Sequence, residues 1–512
     1  MIKPDRKPAG NSIVRMVVVA IALLIQVGWI LLRIQWLNAY SEYISAITGV
    51  LVIAVVLKLN SKNTNAAMKM PWIMLIMAFP LMGLTMYLLF EIFGDPGVGR
   101  RMKQVRGAMR EKLPKMGDQA FRHLLEQDLS GANQSRYLWK HVGYPVYENT
   151  DVKYYPEAKL ALEDMKVELR KAEHFIFMEY FIVEEESSFL ELEMILTEKV
   201  KQGVEVRLMY DDIGSVGKVN MKFAKRLNEQ GIHCLPFNPA LPILNLFMNH
   251  RDHRKITVID GKVGFTGGFN LADEYFDRTH PYGKWKDTGL KLEGEAVRSL
   301  TATFLELWCV QRKTAEDIGR YLHVFHSMPG QGFVQPYGDD PLAQERVAEN
   351  VYLNLIHQAN KTLYIMTPYL IITDEMSHAL GLAAMRGVDV RIITPGIPDK
   401  KTVYAVTRSY YPGLIRQGVR IFEYTPGFCH AKQCICDGKI ATVGTSNLDY
   451  RSLYHHFENN VLLSGCDALE TISKDFEGTF CQCREVTEAE CRCRSRLLRA
   501  WQSILRLFAP LM

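Results

Sequence analysis

Apolar residues are crowded into three long runs within the first hundred positions and then give way to short, separated runs. The long runs are Met16 to Leu32, Tyr43 to Leu59 and Pro71 to Phe90. Each approaches the roughly 20 apolar residues that cross a bilayer core. They predict three transmembrane helices, over about 14–34, 42–59 and 71–93, in a membrane region of residues 1–97. A cleaved signal peptide is the competing reading of the first run, because Lys3, Arg6, Lys7 and Arg15 precede it. No small-x-small cleavage site follows, which argues for a retained span.

Beyond residue 150 the pattern changes to alternating helices and apolar strands, and it does so twice. Ala172 to Ile182 answers Asn360 to Ile371, Lys201 to Asp212 answers Met385 to Gly396, and Asn228 to Asn238 answers Ile415 to Thr425. Such alternation predicts an α/β class and a mostly parallel sheet covered on both faces. The period is far too long for a solenoid, so the chain reads as two duplicated domains with a pseudo-dyad between them. The expected boundaries are 146–325 and 326–480, with a juxtamembrane segment at 98–145 and a terminal segment at 481–512. In the first half about ten extra residues include Pro239 to Asn249, read either as a loop packed on its own domain or as an apolar lip that receives acyl chains.

Charge refines this picture only locally. The net charge of +5 is too small to identify a nucleic-acid binder, and no nucleic-acid partner is expected. Arg100 to Lys115 is strongly basic and follows the last apolar run directly, which suits either a solvated linker or attraction to anionic headgroups. Positive charges near the spans are almost balanced between the two sides. The ten cysteines favour the cytoplasmic face, because Cys434 and Cys436 stand on an apparent core strand where free thiols behave as small hydrophobes.

The chemistry sits in a motif that occurs once per half. His253 and Lys255 are two residues apart on a predicted strand and therefore share a face, as do His430 and Lys432. Asp260 and Asp437, which open Asp-Gly-Lys turns, complete the candidate catalytic set; the returning strands end at Gly267 and Asn270, and at Gly444 and Asn447. Brought together, the two copies offer two imidazoles, two ammonium groups and two amides around one centre. That set suits a phosphoryl group: one imidazole attacks phosphorus, the other protonates the departing oxygen, and lysines and asparagines hold the non-bridging oxygens. The residues alone leave open which imidazole attacks. An ammonium beside each histidine makes a poor metal site, so no metal is expected. Asp287 and Glu458, at similar distances downstream, are the candidate carboxylates that orient the histidines.

These paired motifs resemble the phospholipase D superfamily, whose hallmark is His-x-Lys-x4-Asp-x6-Gly-(Gly/Ser)-x-Asn; Gly268 and Thr445 stand where serine is common. The segments "NHRDHRKITVIDG", "GGFNLADEY" and "LRLFAPLM" are more narrowly similar to bacterial cardiolipin synthases, which typically have two N-terminal spans rather than three. The resemblance implies two phospholipase D-type α/β/α sandwich domains with one shared active site. It implies a phosphatidyltransferase of the cell membrane, moving a phosphatidyl group from one phosphatidylglycerol to another to give cardiolipin and glycerol, with other anionic phospholipids as partners and no cofactor. By the same analogy His253 becomes the phosphohistidine and His430 serves as general acid and then base. A membrane-bound phospholipase D hydrolase, a tethered nuclease and an inactive lipid-binding scaffold are the rival readings.

At the C-terminus, Leu497, Trp501, Ile504, Leu505 and Phe508 fall on one helical face, ringed by Arg494, Arg496, Arg499 and Arg506. This predicts an interfacial helix or one docked on the second domain. Cys481, Cys483, Cys491 and Cys493 just before it could form a disulfide or metal clip.

Overall fold

The computed structural model describes residues 42–512 except 63, 93–95, 116–118, 240–248, 314–315, 324–325, 344 and 512, plus scattered helical positions between 17 and 32. The expected first span therefore lies largely outside the described residues, and the loop expected to form an apolar lip lies there almost entirely. Among the described residues no helix is long and apolar enough to cross a membrane. The second expected span is one helix, α1 (Glu42–Ser61). The third is not a single helix. It is broken at Phe79 into α2 (Ala66–Ala78) and α3 (Pro80–Ile92). The break is steric: Pro80 has no N–H for a continuing ladder and biases Phe79 away from helical geometry. The two helices fold back on each other, with Trp72 edge-on to Tyr87 at 5.6 Å between ring centroids. Gly83 permits the contact, since a Cβ there would lie 2.6 Å from the Ile76 Cα.

Helix α4 (Pro96–Arg110) takes up most of the basic juxtamembrane segment. One face of it is packed rather than solvated, with Val98, Met102 and Met109 buried and Arg100, Lys103 and Arg110 exposed. Arg106 bonds to Glu306 at 2.5 Å and to Asp340 at 3.0 Å, one acid from each half of the chain.

Two sheets form the body of the two lobes. The first contains β1 (Thr150–Tyr155), β2 (Phe175–Tyr180), β3 (Glu205–Asp211), β4 (His233–Phe237), β6 (Lys255–Ile259), β7 (Val263–Gly267) and β9 (Gly289–Gly294), in the order β1-β9-β7-β6-β2-β3-β4. The second repeats it with β10 (Phe333–Asp339), β11 (Thr362–Met366), β12 (Asp389–Pro395), β13 (Arg420–Tyr424), β15 (Gln433–Cys436), β16 (Ile440–Gly444) and β17 (His456–Ser464), in the order β10-β17-β16-β15-β11-β12-β13. A further strand, β18 (Cys483–Glu485), extends the edge beyond β13. The sheets are mixed rather than mostly parallel: β2-β3-β4 and β11-β12-β13 run parallel, whereas the motif strands pair antiparallel. The short Asp-Gly turn forces this, because parallel neighbours need a crossover of a dozen or more residues.

Two short parallel ladders join the lobes. β5 (Arg251–Asp252) of the first lobe pairs with the start of β17, and β14 (Gly427–Cys429) of the second pairs with β8 (Lys284–Lys286) of the first. Each ladder runs directly into a motif histidine. A continuous apolar core spans both lobes, with Phe177 and Phe304 stacked at 4.7 Å in one half and Ile365 and Tyr352 fully buried in the other.

Candidate active site

The sheets place His253 and His430 at the seam between the lobes, just before β6 and β15. Both are buried, as are Lys255 and Lys432. The ladders bring a carboxylate across the seam to each imidazole. His253 Nδ1 lies 2.9 Å from both oxygens of Glu458, on β17 of the second lobe. His430 Nδ1 lies 2.6 Å from Asp287 Oδ2, which follows β8 of the first. With Nδ1 turned to a carboxylate, Nε2 is the nitrogen of each ring left for chemistry.

The lysines differ in detail. Lys255 Nζ donates to the carbonyl of His253 at 2.6 Å. Lys432 Nζ also donates to the carbonyl of its own histidine, and lies 2.7 Å from His430 Nδ1. Burial lowers the Lys255 pKa to about 7 against the pull of Glu458, and that of Lys432 to about 8 against Asp287. Burial, with the adjacent ammonium adding, pushes His430 down to about 4 and His253 well below the usual imidazole range. The carboxylates part ways. Burial drives Glu458 well above the carboxylate range, while His430 and Lys432 hold Asp287 below it despite its burial. The empty site thus favours neutral imidazoles and weakly held ammonium protons, a state that an entering phosphodiester anion would reverse by supplying the missing negative charge.

Asp260 and Asp437, expected among the catalytic residues, are not brought to the imidazoles. They sit at the far ends of the motif strands, with φ of 53° and 52°. Asp260 accepts from the N–H groups of Glu173, His174 and Phe175, each at 2.8 Å. Asp437 accepts from Asn360, Lys361 and Thr362 at 2.7 to 2.9 Å. Each carboxylate ties the turn to the start of the neighbouring strand, which fixes the strand that carries His-x-Lys.

The glycines serve close packing. A Cβ at Gly267 would lie 2.4 Å from the Thr288 oxygen, and one at Gly444 would lie 2.4 Å from the Asn459 oxygen. At Gly268 it would lie 2.0 Å from Asp287 Oδ1, which explains glycine there; at the equivalent position Thr445 donates its hydroxyl to Glu458. Asn270 accepts from Ile182 N at 3.0 Å and donates to Tyr275 O–H at 2.8 Å, so its amide braces the ring beside His430 rather than standing free. Asn447 is buried, and its Oδ1 has no partner among the described residues.

The structure adds residues that the motif alone does not reveal. His456 is buried with its ring 5.4 Å from that of His253, held by Arg451 Nε at 3.3 Å from its Nε2. Asn459 links the lobes, accepting from Lys255 N at 3.1 Å and donating to Thr266 Oγ1 at 2.7 Å. Both are carried by the strand that supplies Glu458, and "HHFENN" is the signal that could have flagged them. Around His430 the wall is aromatic, with Trp285 and Tyr275 each 5.3 Å away between centroids.

One group of metal-ligating side chains occurs among the described residues: His253, His456 and Glu458, with ligand atoms within 4.8 Å of one another. It suits a resident cation poorly, because Lys255 stands against it and the carboxylate already accepts from His253 and Thr445. All ten cysteines are free, and Cys481, Cys483, Cys491 and Cys493 form neither a disulfide nor a ligand cluster among the described residues. A cleft of about 340 Å³ beside Asp151, Gln331 and Asp467 lies away from both histidines and holds no basic side chain.

Comparison with known proteins agrees with this geometry. Residues 165–308 and 352–480 match the family described as cardiolipin synthase, PLD-like domain. A cardiolipin synthase of Halalkalibacterium halodurans is 33% identical over 97% of this chain and 99% of its own. An uncharacterized protein of Streptococcus mutans is 42% identical over 90% of this chain and 100% of its own. Among solved structures, phosphatidylserine synthase of Haemophilus influenzae superposes with a TM-score of 0.55 at 14% identity, covering 75% of this chain and 98% of that one, which is a likeness of fold.

Proposed function

Since the chain belongs to the cardiolipin synthase family with PLD-like domains, we propose that this phosphatidyltransferase joins two phosphatidylglycerol molecules into cardiolipin and glycerol through a phosphohistidine. His253 Nε2 attacks the phosphorus of the first lipid; the P–O bond to the glycerol headgroup breaks, and the departing oxygen takes a proton from His430. The headgroup hydroxyl of a second phosphatidylglycerol then gives its proton to His430 and attacks phosphorus, breaking the P–N bond and freeing His253. Each new phosphoester resembles the one broken, so no energy source or cofactor is required.

The observation that carries this reading is the pair of carboxylates crossing the seam to the two Nδ1 atoms. They leave both Nε2 atoms facing a common centre, as attack and departure on opposite sides of one phosphorus demand. Asp287, together with the entering phosphodiester anion, would keep on His430 the proton that the departing oxygen takes. Lys255 and Lys432 would hold the non-bridging oxygens as charge redistributes. The aromatic wall around His430 limits water, whose attack would give phosphatidic acid instead.

The cell membrane is the proposed site of action, with the catalytic lobes on the cytoplasmic face, where ten free thiols are stable. The test is to incubate reconstituted protein with labelled phosphatidylglycerol. Cardiolipin and free glycerol in equal amounts support the reading; phosphatidic acid alone would make the chain a hydrolase, and cleavage of oligonucleotides without lipid turnover a nuclease.

A further inference from the structure

The C-terminal helix is amphipathic in an unexpected way. Helix α6 (Asp374–Met385) and helix α7 (Lys401–Arg416) lie beneath α8 (Arg496–Leu507). α8 docks by one narrow edge only: Leu505 is buried, Gln502 Nε2 donates to the Ala405 carbonyl at 3.1 Å, and the Arg506 guanidinium lies 4.1 Å from the centre of the Tyr410 ring. Leu505, expected on the exposed stripe, is therefore on the docked edge. The outer stripe is left uncovered, with Leu497 85%, Trp501 53%, Ile504 52% and Phe508 46% exposed. Arg496 and Arg499 are exposed beside it, and the helix contains no acidic residue.

The place of this stripe in the molecule says what covers it. The first turn of α6 holds both ends of the chain: Asp374 lies 3.5 Å from Arg506 of α8, and Glu375 accepts from Asn65 at 3.0 Å, immediately before α2. The uncovered face of α8 is thus tied, through α6, to the α2-α3 hairpin, where Met70, Met74, Met77 and Phe79 are exposed. Lys62 and Lys69 flank Asn65 along the chain at this junction. An apolar stripe edged by cations and tied to strongly apolar helices matches an anionic bilayer: hydrocarbon below, phosphate at the collar. A second copy of the chain would match the apolar stripe but not its cationic edge.

We propose that α8 lies in the headgroup layer of an anionic phospholipid bilayer, coplanar with the base of the N-terminal hairpin, so that the two ends of the chain form one membrane-contact face. The inference rests on the reading of the chain as an enzyme of membrane phospholipids and adds what holds its active site at the surface. The turn Ala509–Leu511 that follows α8 packs on the helix Tyr450–Tyr454, and the residues next along are His455, His456 and Glu458. Seating α8 in the headgroups would set the Glu458 side of the catalytic seam at the lipid surface.

The full chain is reconstituted into vesicles of phosphatidylglycerol and phosphatidylcholine carrying bromine at defined depths on the acyl chains, and tryptophan emission is compared between the wild type and Trp501→Phe. The Trp501 component should be quenched by shallow bromines and not by those at the chain ends. A triple substitution of the outer stripe, Leu497→Ser, Trp501→Ala and Ile504→Ser, should lower turnover of vesicle phosphatidylglycerol roughly tenfold, as loss of buried apolar surface predicts, and leave turnover of detergent-dispersed lipid unchanged. A Trp501 component untouched at every depth, equal losses in both assays, or a halved mass in detergent for the triple variant would overturn the proposal, the last by assigning the stripe to a second copy. The quenching result stands whether or not cardiolipin forms, so failure of the enzymatic reading and failure of this one are separable.

Discussion

Glu458 accepts from the Nδ1 of His253 with both carboxylate oxygens at 2.9 Å, although 205 residues and the boundary between two lobes separate them. Asp287 stands in the reciprocal relation to His430. Neither lobe therefore contains a complete catalytic imidazole; each supplies the ring of one and the orienting group of the other. Glu458→Gln and Asp287→Asn keep the shape while replacing the carboxyl group that fixes the tautomer. Each should lower kcat by roughly 10²–10⁴-fold with little change in thermal stability, as orienting carboxylates do elsewhere.

The two histidines should fail differently. On the proposed roles, His253→Ala should yield no covalent intermediate. His430→Asn should still form phosphohistidine, most readily from a substrate with a good leaving group, and then be unable to pass it on. Acid-labile, base-stable radiolabel from phosphate-labelled lipid should accumulate on His430→Asn alone. Label on neither variant would count against the assignment.

The alkaline limit of kcat/KM should come from the lysines. Their pKa values of about 7 and about 8 mean that the free enzyme loses its phosphate-holding charges as pH rises through that range. The acid limit should come from His253, which attacks only as a neutral imidazole and which burial and the Lys255 ammonium hold well below the usual imidazole range, so activity should persist into mildly acidic solution. Stability should move the other way on the alkaline side. An unfolded chain keeps these lysine protons up to about pH 10 whereas the folded site releases them near 7 and 8, so unfolding takes up protons and stability rises with pH across that window. Lys255→Met should accordingly be inactive yet melt several degrees higher at neutral pH. A pH–rate profile and a melting series check both.

Asp260→Ala should damage the fold more than the chemistry. Three backbone N–H groups lose a charged acceptor, and alanine is strained at φ of 53°, which together should cost about 2–4 kcal/mol. Asp260→Asn keeps an acceptor and tolerates that φ, so it should recover much of the loss. Asp437→Ala should cost less, because its turn is more exposed. Denaturant midpoints, with kcat measured on the folded fraction, distinguish this from a direct catalytic role.

Much of this site could be read from spacing alone. His253 with Lys255, and His430 with Lys432, share a face because strand geometry has a period of two, and the repeat implied that the two sets meet. Asp287 and Glu458 were reachable as carboxylates at equivalent offsets. Their exchange between lobes was not, because it depends on the β5-β17 and β8-β14 ladders, each only two or three residues long and without a pattern of its own. His456 and Asn459 were hidden for the same reason. The break at Pro80 was legible in principle, yet the apolar run on either side outweighed one proline. The split face of α8 depends on what lies beneath it, and Leu505 and Ile504 are indistinguishable by composition.

The ladder at β17 also governs when reactivity begins. His253, Lys255 and most of the first sheet leave the ribosome long before residue 458, and until that carboxylate arrives the His253 ring has no fixed orientation. On the roles proposed above, a nascent chain is thus chemically idle until the second motif and residue 458, nearly nine-tenths of the way along it, have been made. Placing one ring's orienting carboxylate so late ties reactivity to nearly complete synthesis.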